Sequence, residues 1–177
     1  MSGGGGGGDG NFFWQYRNLL RSTGNESAID WTVLETSETV AALGHIASGG
    51  LQFTDDESVV DSASWRLMLM NGALHIFEAP RAILSRIFKS RPKYVVIGDV
   101  PVSFGATRDR LAIVRPPRMS RRRGYSFPFW IFAEDIWQLH GGAYAMIARW
   151  PVGSTVVDGK RLERFSYFFT RLQGDQR

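Results

Sequence analysis

Apolar residues recur with a helical period in three segments of the chain. Five of them, between Phe12 and Leu20, fall at i, i+1, i+4, i+7 and i+8 and therefore share one helix face. A second helix is predicted over 36–47. Pro80 suits the first turn of a third helix, in which an apolar stripe lies opposite the basic residues of 81–91. The aromatic residues of the first helix either anchor it in the core or form a face that inserts into a partner surface.

Other segments are rich in β-branched and aromatic residues and end at turn residues, which predicts β-strands. The dipeptide Asn71-Gly72 favours a type I′ turn and predicts a hairpin between 65–70 and 73–77. Asp158-Gly159 supplies a second hairpin turn before 160–169, a segment that also fits a helical stripe. Further strands are predicted at 51–54, 94–97, 100–104, 111–114, 127–132 and 143–150, with 31–34 as an alternative strand and a short helix near 134–139.

These elements predict the α+β class, with one domain of antiparallel β-hairpins and two to three amphipathic helices, mainly in the first half. The domain is expected to span 11–177, because six consecutive glycines make 1–10 a flexible tail. A chain of 177 residues with 44% hydrophobic composition is long enough for one substantial core. Residues 115–124 have almost nothing to bury, which predicts an exposed loop.

Basic and acidic residues are concentrated in different segments of the chain, and this distribution adds an expectation about function. Residues 1–80 hold three basic and ten acidic side chains, and residues 81–123 hold twelve basic and two acidic ones. The remainder, 124–177, holds six basic and five acidic side chains. Such a basic segment is expected to face phosphates, anionic lipid head groups or an acidic protein. The acidic segment either neutralises it within one molecule or contacts it in a neighbouring copy, which would give head-to-tail self-association.

The arginines of the basic segment are the strongest functional signal, because a guanidinium presents a planar fork of donors that matches phosphate geometry. The predicted anion-binding residues are Arg81, Arg86, Lys89, Arg91, Arg115, Arg118, Arg121, Arg122 and Arg123. The competing interpretation of the 115–124 loop is a solvated segment that keeps the protein soluble. The same letters match a nuclear localisation signal, so nuclear entry is a further expectation.

Aromatic residues follow the basic loop directly. They are Tyr125, Phe127, Phe129 and Trp130. Rings beside cations suit single-stranded nucleic acid, where bases stack on them, and equally suit a membrane interface. The alternative is that these rings belong to the core.

No catalytic, metal or cofactor site is predicted. The chain lacks cysteine, which excludes disulfides, thiolate nucleophiles and Cys-ligated metals. His45, His75 and His140 are scattered singly, and the sequence contains neither a Gly-x-Ser-x-Gly elbow nor a phosphate-binding P-loop. An enzymatic alternative rests only on scattered acids and histidines, with Asp99 and His140 as the residues whose mutation would test it. We therefore expect a non-enzymatic protein with no small-molecule substrate.

The start of the chain has neither the basic nor the apolar region of a secretory signal, and its apolar runs are short. These features predict a cytoplasmic protein whose contact with a membrane is peripheral.

In its length, Gly-rich tail, basic and aromatic β-rich body and lack of cysteine and catalytic motifs, the chain resembles the small matrix proteins of negative-strand RNA viruses, particularly those of plant rhabdoviruses. The resemblance implies a structural protein of the virion that bridges an anionic membrane and a nucleocapsid and binds copies of itself. Pro116-Pro117-Arg118-Met119 departs from the Pro-Pro-x-Tyr motif of many such proteins at its last position. The alternative function is an RNA-binding regulator, such as a viral silencing suppressor or accessory protein.

Overall fold

The computed structural model describes residues 10–25, 29–114 and 127–172. The chain divides into two compact units, with the boundary between Val59 and Val60, and each unit is described by itself. The predicted loop at 115–124, and the predicted tail apart from Gly10, lie outside the described residues. The single domain expected over 11–177 stays a prediction.

The first unit combines helices with a two-stranded parallel sheet. Its elements are α1 (Asn11–Arg21), β1 (Trp31–Leu34), α2 (Ser37–Leu43) and β2 (Leu51–Thr54), with a 3₁₀ turn at Gly44–Ile46 after α2. Phe13, Val33 and Leu51 form its buried core. The predicted helices and the alternative strand at 31–34 are confirmed. Phe13 anchors α1 in the core, whereas Tyr16 and Leu19 are exposed.

Among its described residues, the second unit contains a mixed sheet and one α-helix. Its elements are β3 (Leu67–Asn71), α3 (Pro80–Lys89), β4 (Tyr94–Ser103), β5 (Arg110–Val114), β6 (Phe127–Ala133), β7 (Tyr144–Val157) and β8 (Lys160–Arg171), with 3₁₀ turns at Leu74–Ile76 and Glu134–His140. The strand order is β5-β6-β4-β8-β7, and β3 pairs with β4. The α+β class predicted from the sequence is confirmed.

The hairpin predicted at Asn71-Gly72 is wrong. β3 pairs in parallel with β4, with Leu67 opposite Tyr94, and Leu74–Ile76 forms a 3₁₀ turn instead of a strand. A parallel pair needs a crossover connection, which α3 provides. Leu74 and the apolar side of α3 lie in the core. The free energy gained from burying them therefore outweighs the preference of Asn71-Gly72 for a hairpin turn. Parallel pairs also join β1 to β2 and β4 to β6, so hairpins alone do not build this fold.

The central strand β4 runs without a break through two segments that were predicted as separate strands. Its pairing with β8 shifts register between Ile97 and Val100, where Asp99 adopts a positive φ of 62°. Such a bulge bends the strand while pairing continues on either side. The second predicted hairpin is confirmed, because Asp158 and Gly159 both have positive φ and join β7 to β8.

One face of the sheet is covered by α3 and the Glu134–His140 turn. On this face Phe88 of α3 packs edge-on against Phe169 with ring centroids 5.6 Å apart, and Trp137 lies 4.1 Å from Tyr167. Val95 and Ile97 of β4 and Phe165, Tyr167 and Phe169 of β8 alternate along their strands and are buried on this face. The residues between them point to the opposite face.

Candidate anion-binding surface

Two of the predicted anion-binding arginines on α3 already have carboxylate partners. The Arg81 guanidinium lies 2.6 Å from Asp109 Oδ2 and 2.7 Å from Asp135 Oδ1. Arg86 Nη2 lies 2.9 Å from Asp61 Oδ2. A phosphate group would have to compete with these carboxylates, so the two residues contribute little to an anion-binding surface.

The electrostatics of the Arg81 cluster match this geometry. The hydrogen bond from Arg81 to Asp109 raises the pKa of the guanidinium, and Asp135 adds to the effect. Burial opposes ionisation of Asp109, but hydrogen bonds from Arg81 and from the Ala133 N–H hold the Asp109 pKa below its usual value. This cluster ties α3 to the neighbouring strands and is structural.

A different set of cations gathers where β3 and β4 begin and β8 ends. We call it the basic end; it comprises Arg66, Lys89, Arg91, Lys93 and Arg171, all of them exposed. Main-chain hydrogen bonds bring these residues together: the Tyr94 N–H donates to the Arg66 carbonyl, and the Arg171 N–H donates to the Lys93 carbonyl, each at 2.9 Å. Within 10–25, 29–114 and 127–172, no ion pair involves any of the five.

The chain leaves α3 in a conformation that builds this end. Ser90 closes the helix, and Arg91 follows with a positive φ of 59°. The Arg91 carbonyl then accepts a hydrogen bond from the Arg171 guanidinium, and the Pro92 carbonyl accepts one from the Tyr144 hydroxyl at 2.8 Å. Burial raises the pKa of Tyr144, so its hydroxyl stays a donor at neutral pH. The basic end is thus held in place by the fold.

Two exposed leucines accompany the cations. Leu67 directly follows Arg66 and is 37% exposed, and Leu172 directly follows Arg171 and is 50% exposed. Cations beside exposed aliphatic side chains are typical of surfaces that contact the interface of an anionic membrane.

Of the three described residues that were predicted as interface rings, one lies in the core and two are half-buried. Phe129 is only 6% exposed and packs with Ala112, Ile131 and Val157. Phe127 is half-buried against that cluster, and Trp130 donates from Nε1 to the Phe77 carbonyl at 3.0 Å. Phe129 therefore offers no free ring, because it is buried in this cluster. Tyr125 lies outside the described residues, as do Arg115, Arg118, Arg121, Arg122 and Arg123.

The residues of the enzymatic alternative have structural partners. Asp99 Oδ2 accepts a hydrogen bond from Arg164 Nη1 at 2.8 Å, and its backbone N–H donates to the Ser166 hydroxyl. His140 Nδ1 accepts from the Gly142 N–H, which closes the turn after residue 140. In the part of the chain that the structure describes, no group of three side chains is arranged to hold a metal ion. No helix of those residues is both long and apolar enough to cross a membrane.

Sequence reasoning identified Lys89 and Arg91 but missed Arg66, Lys93 and Arg171. In the structure Arg66 and Lys93 stand just before β3 and β4, and Arg171 is the last residue of β8, so a sheet topology with parallel β3 and β4 was needed to bring them together. The sequence matches no protein-family model and no curated protein. The resemblance to matrix proteins therefore stays a prediction.

Proposed function

We propose that this protein is a non-enzymatic structural protein that binds an anionic membrane surface through the basic end. The observation that supports this proposal most directly is the set of five exposed cations without ion pairs among the described residues. Each cation near an anionic bilayer contributes about 1 kcal/mol of binding free energy. Leu67 and Leu172 add apolar contact at the same end.

A viral matrix role is the most concrete form of this proposal. A matrix protein needs a basic surface for the membrane and further surfaces for the nucleocapsid and for other copies of itself. The basic end occupies only one end of the second unit's sheet, which leaves the rest of that sheet for other contacts. In this role the protein is peripheral to the membrane and becomes part of the virion.

The test is co-flotation of the nuclease-treated full chain with vesicles that contain phosphatidylserine in phosphatidylcholine, measured across a salt series. The chain should float with these vesicles and not with phosphatidylcholine alone, and salt should weaken the binding. The variant Arg66→Gln/Lys89→Gln/Lys93→Gln should lose about 3 kcal/mol of binding free energy, or roughly a hundredfold in affinity.

The matched control is Arg86→Gln/Arg110→Gln/Arg149→Gln. It removes the same charge, but from arginines that face carboxylates in their own chain. Screening over about 10 Å at 0.1 M salt makes vesicle binding depend on local charge, so the control should bind nearly as well as the original chain. Equal losses in the two variants would contradict the basic end as the membrane-binding site.

The basic loop is tested separately with Arg121→Gln/Arg122→Gln/Arg123→Gln, because it lies outside the described residues. If only this variant lost vesicle binding, the membrane-binding site would be assigned to residues 115–124 instead of the basic end. RNA binding, the alternative function predicted from the sequence, is favoured by a different surface of the second unit.

A further inference from the structure

The sheet of the second unit has one face that α3 does not cover. Alternate residues of β3, β4, β8 and β7 point away from α3 and lie opposite one another on neighbouring strands. We call the face that they form the open face. It includes Leu69, Tyr94, Val96, Phe168, Ala148 and Trp150. Val96 and Phe168 stay half-buried although β4 and β8 are interior strands, and Trp150 is 42% exposed. Apolar and aromatic groups therefore meet solvent here.

Three aromatic rings cross the open face along a diagonal. Tyr94 of β4 lies opposite Thr170, Phe168 belongs to β8, and Trp150 of β7 lies opposite Ser166. Each step therefore moves two residues along β8, or about 7 Å, and one strand across, or about 4.8 Å. The Tyr94 and Phe168 ring centroids are 5.8 Å apart. Rings that follow a regular register on neighbouring strands form a platform on which successive unpaired bases can stack.

Positive charge lies at one end of this diagonal. Lys93 Nζ is 5.0 Å from the centroid of the Tyr94 ring, and the Arg66 carbonyl binds the Tyr94 N–H. Toward the other end, Arg164 is on the same face but forms an ion pair with Asp99. The phosphates of a bound strand would therefore meet cations beside Tyr94. The other two rings lie progressively farther from these cations across the sheet.

We propose that the open face binds single-stranded nucleic acid, with bases stacked on Tyr94, Phe168 and Trp150. Arg66 and Lys93 beside Tyr94 favour an anionic polymer over a second copy of the chain, which carries the same positive charge at this edge. Base stacking uses the faces of the rings, so binding should tolerate different sequences and should require unpaired bases. This site shares Arg66 and Lys93 with the basic end, but it adds three rings that the proposed membrane contact does not use.

The experiment measures the fluorescence anisotropy of a short labelled oligouridine on titration with the full chain. Labelled oligothymidine and an RNA duplex of equal length serve as the other ligands and distinguish RNA from DNA and single strands from duplex. Phe168→Leu and Trp150→Leu should each weaken single-strand binding about fivefold to a hundredfold. Phe168→Tyr keeps the ring and should keep the affinity.

Phe104→Leu is the matched control, because Phe104 is 46% exposed and contacts Phe165 on the covered side of the sheet. It should bind the oligonucleotide normally. Thermal unfolding of every variant checks the fold, and each leucine variant should still float with anionic vesicles. Loss of nucleic-acid binding with retained flotation thus separates this site from the proposed membrane function.

Three results would overturn the proposal. Leucine variants that fold and bind the oligonucleotide like the original chain would exclude stacking on these rings. If a duplex bound as tightly as the single strand, binding would depend on phosphates and cations and not on base stacking. A chain that ignores oligonucleotides, but forms a dimer that Trp150→Leu dissociates, would assign the open face to a second copy.

Discussion

The arginines of α3 and three cations of the basic end, Lys89, Arg91 and Lys93, come from the same stretch of basic sequence but have different environments. Arg81 and Arg86 face Asp109, Asp135 and Asp61 in their own chain. Lys89 and Arg91, a few residues further on, face solvent together with cations from β3, β4 and β8. The first group stabilises the fold, and the second group is available to a ligand.

The comparison shows that a count of basic residues overestimates a binding surface. The basic segment was predicted to act as one patch, or else to be neutralised by the acidic segment. Within α3 and the turn that follows it, some basic residues are neutralised by carboxylates and others form an exposed basic surface. Asp109 and Asp135 lie outside the acidic segment altogether, so its opposite charge is only part of the explanation.

The largest effect on stability is expected from the paired group. Asp109→Asn removes the carboxylate that accepts hydrogen bonds from Arg81 and from the Ala133 N–H. The side chain of Asp109 is only 11% exposed, so loss of these charge-assisted bonds should cost about 2 kcal/mol of unfolding free energy. Urea denaturation at pH 7 measures this change.

Asp158→Asn is the control for that variant, because its ion pair with Arg110 is exposed. Its cost should stay below about 0.5 kcal/mol. If the two variants lost equal stability, the distinction between a structural and a surface ion pair would fail.

A second effect concerns His75, which lies beside the Asp99–Arg164 pair. Burial lowers its pKa, the Asp99 carboxylate opposes that shift, and Arg164 reinforces it. The folded state thus binds the proton less readily than the unfolded state, whose pKa is about 6.5. Stability from neutral His75 is fully present above that pH and is lost as pH falls toward the lower folded-state pKa.

Denaturation of the original chain at pH 7.5 and pH 5 should therefore show a loss of unfolding free energy before most carboxylates titrate. His75→Gln should reduce this loss, and His45→Gln, at an exposed position, should leave it unchanged. An unchanged pH dependence in His75→Gln would assign the effect to other groups.

The smallest effect on stability is expected at the basic end. The variant Arg66→Gln/Lys89→Gln/Lys93→Gln removes exposed charges that have no ion pair among the described residues. Its unfolding free energy should stay within about 0.5 kcal/mol of the original value. A loss of several kcal/mol would mean that these cations stabilise the fold and are not reserved for a ligand.

Local sequence signals predicted most of the elements. The apolar stripe of α3, the strand composition of β2, β5 and β6 and the Asp158-Gly159 turn all led to correct assignments. These features depend on neighbours a few residues away, so their patterns are visible in the chain itself. The Asn71-Gly72 hairpin failed because the same turn residues also allow the chain to leave β3 and enter α3.

The candidate site was predicted only in part. The sequence indicated Lys89 and Arg91 through their place in a basic helix, but Arg66 and Arg171 lie 105 positions apart in the chain. The aromatic signal after the basic loop led to Phe129, which the sheet buries. The rings of the open face lie on three strands, and no local pattern links them.

The sequence by itself determined the α+β class, the apolar face of α3 and the presence of a strongly basic segment. These properties follow from local propensity and from the periodicity of side chains along one element. Only the tertiary structure decided which cations are paired and which rings face solvent. Both depend on strand order and register, because a carboxylate distant in sequence neutralises an arginine only when the fold brings the two within a few ångströms.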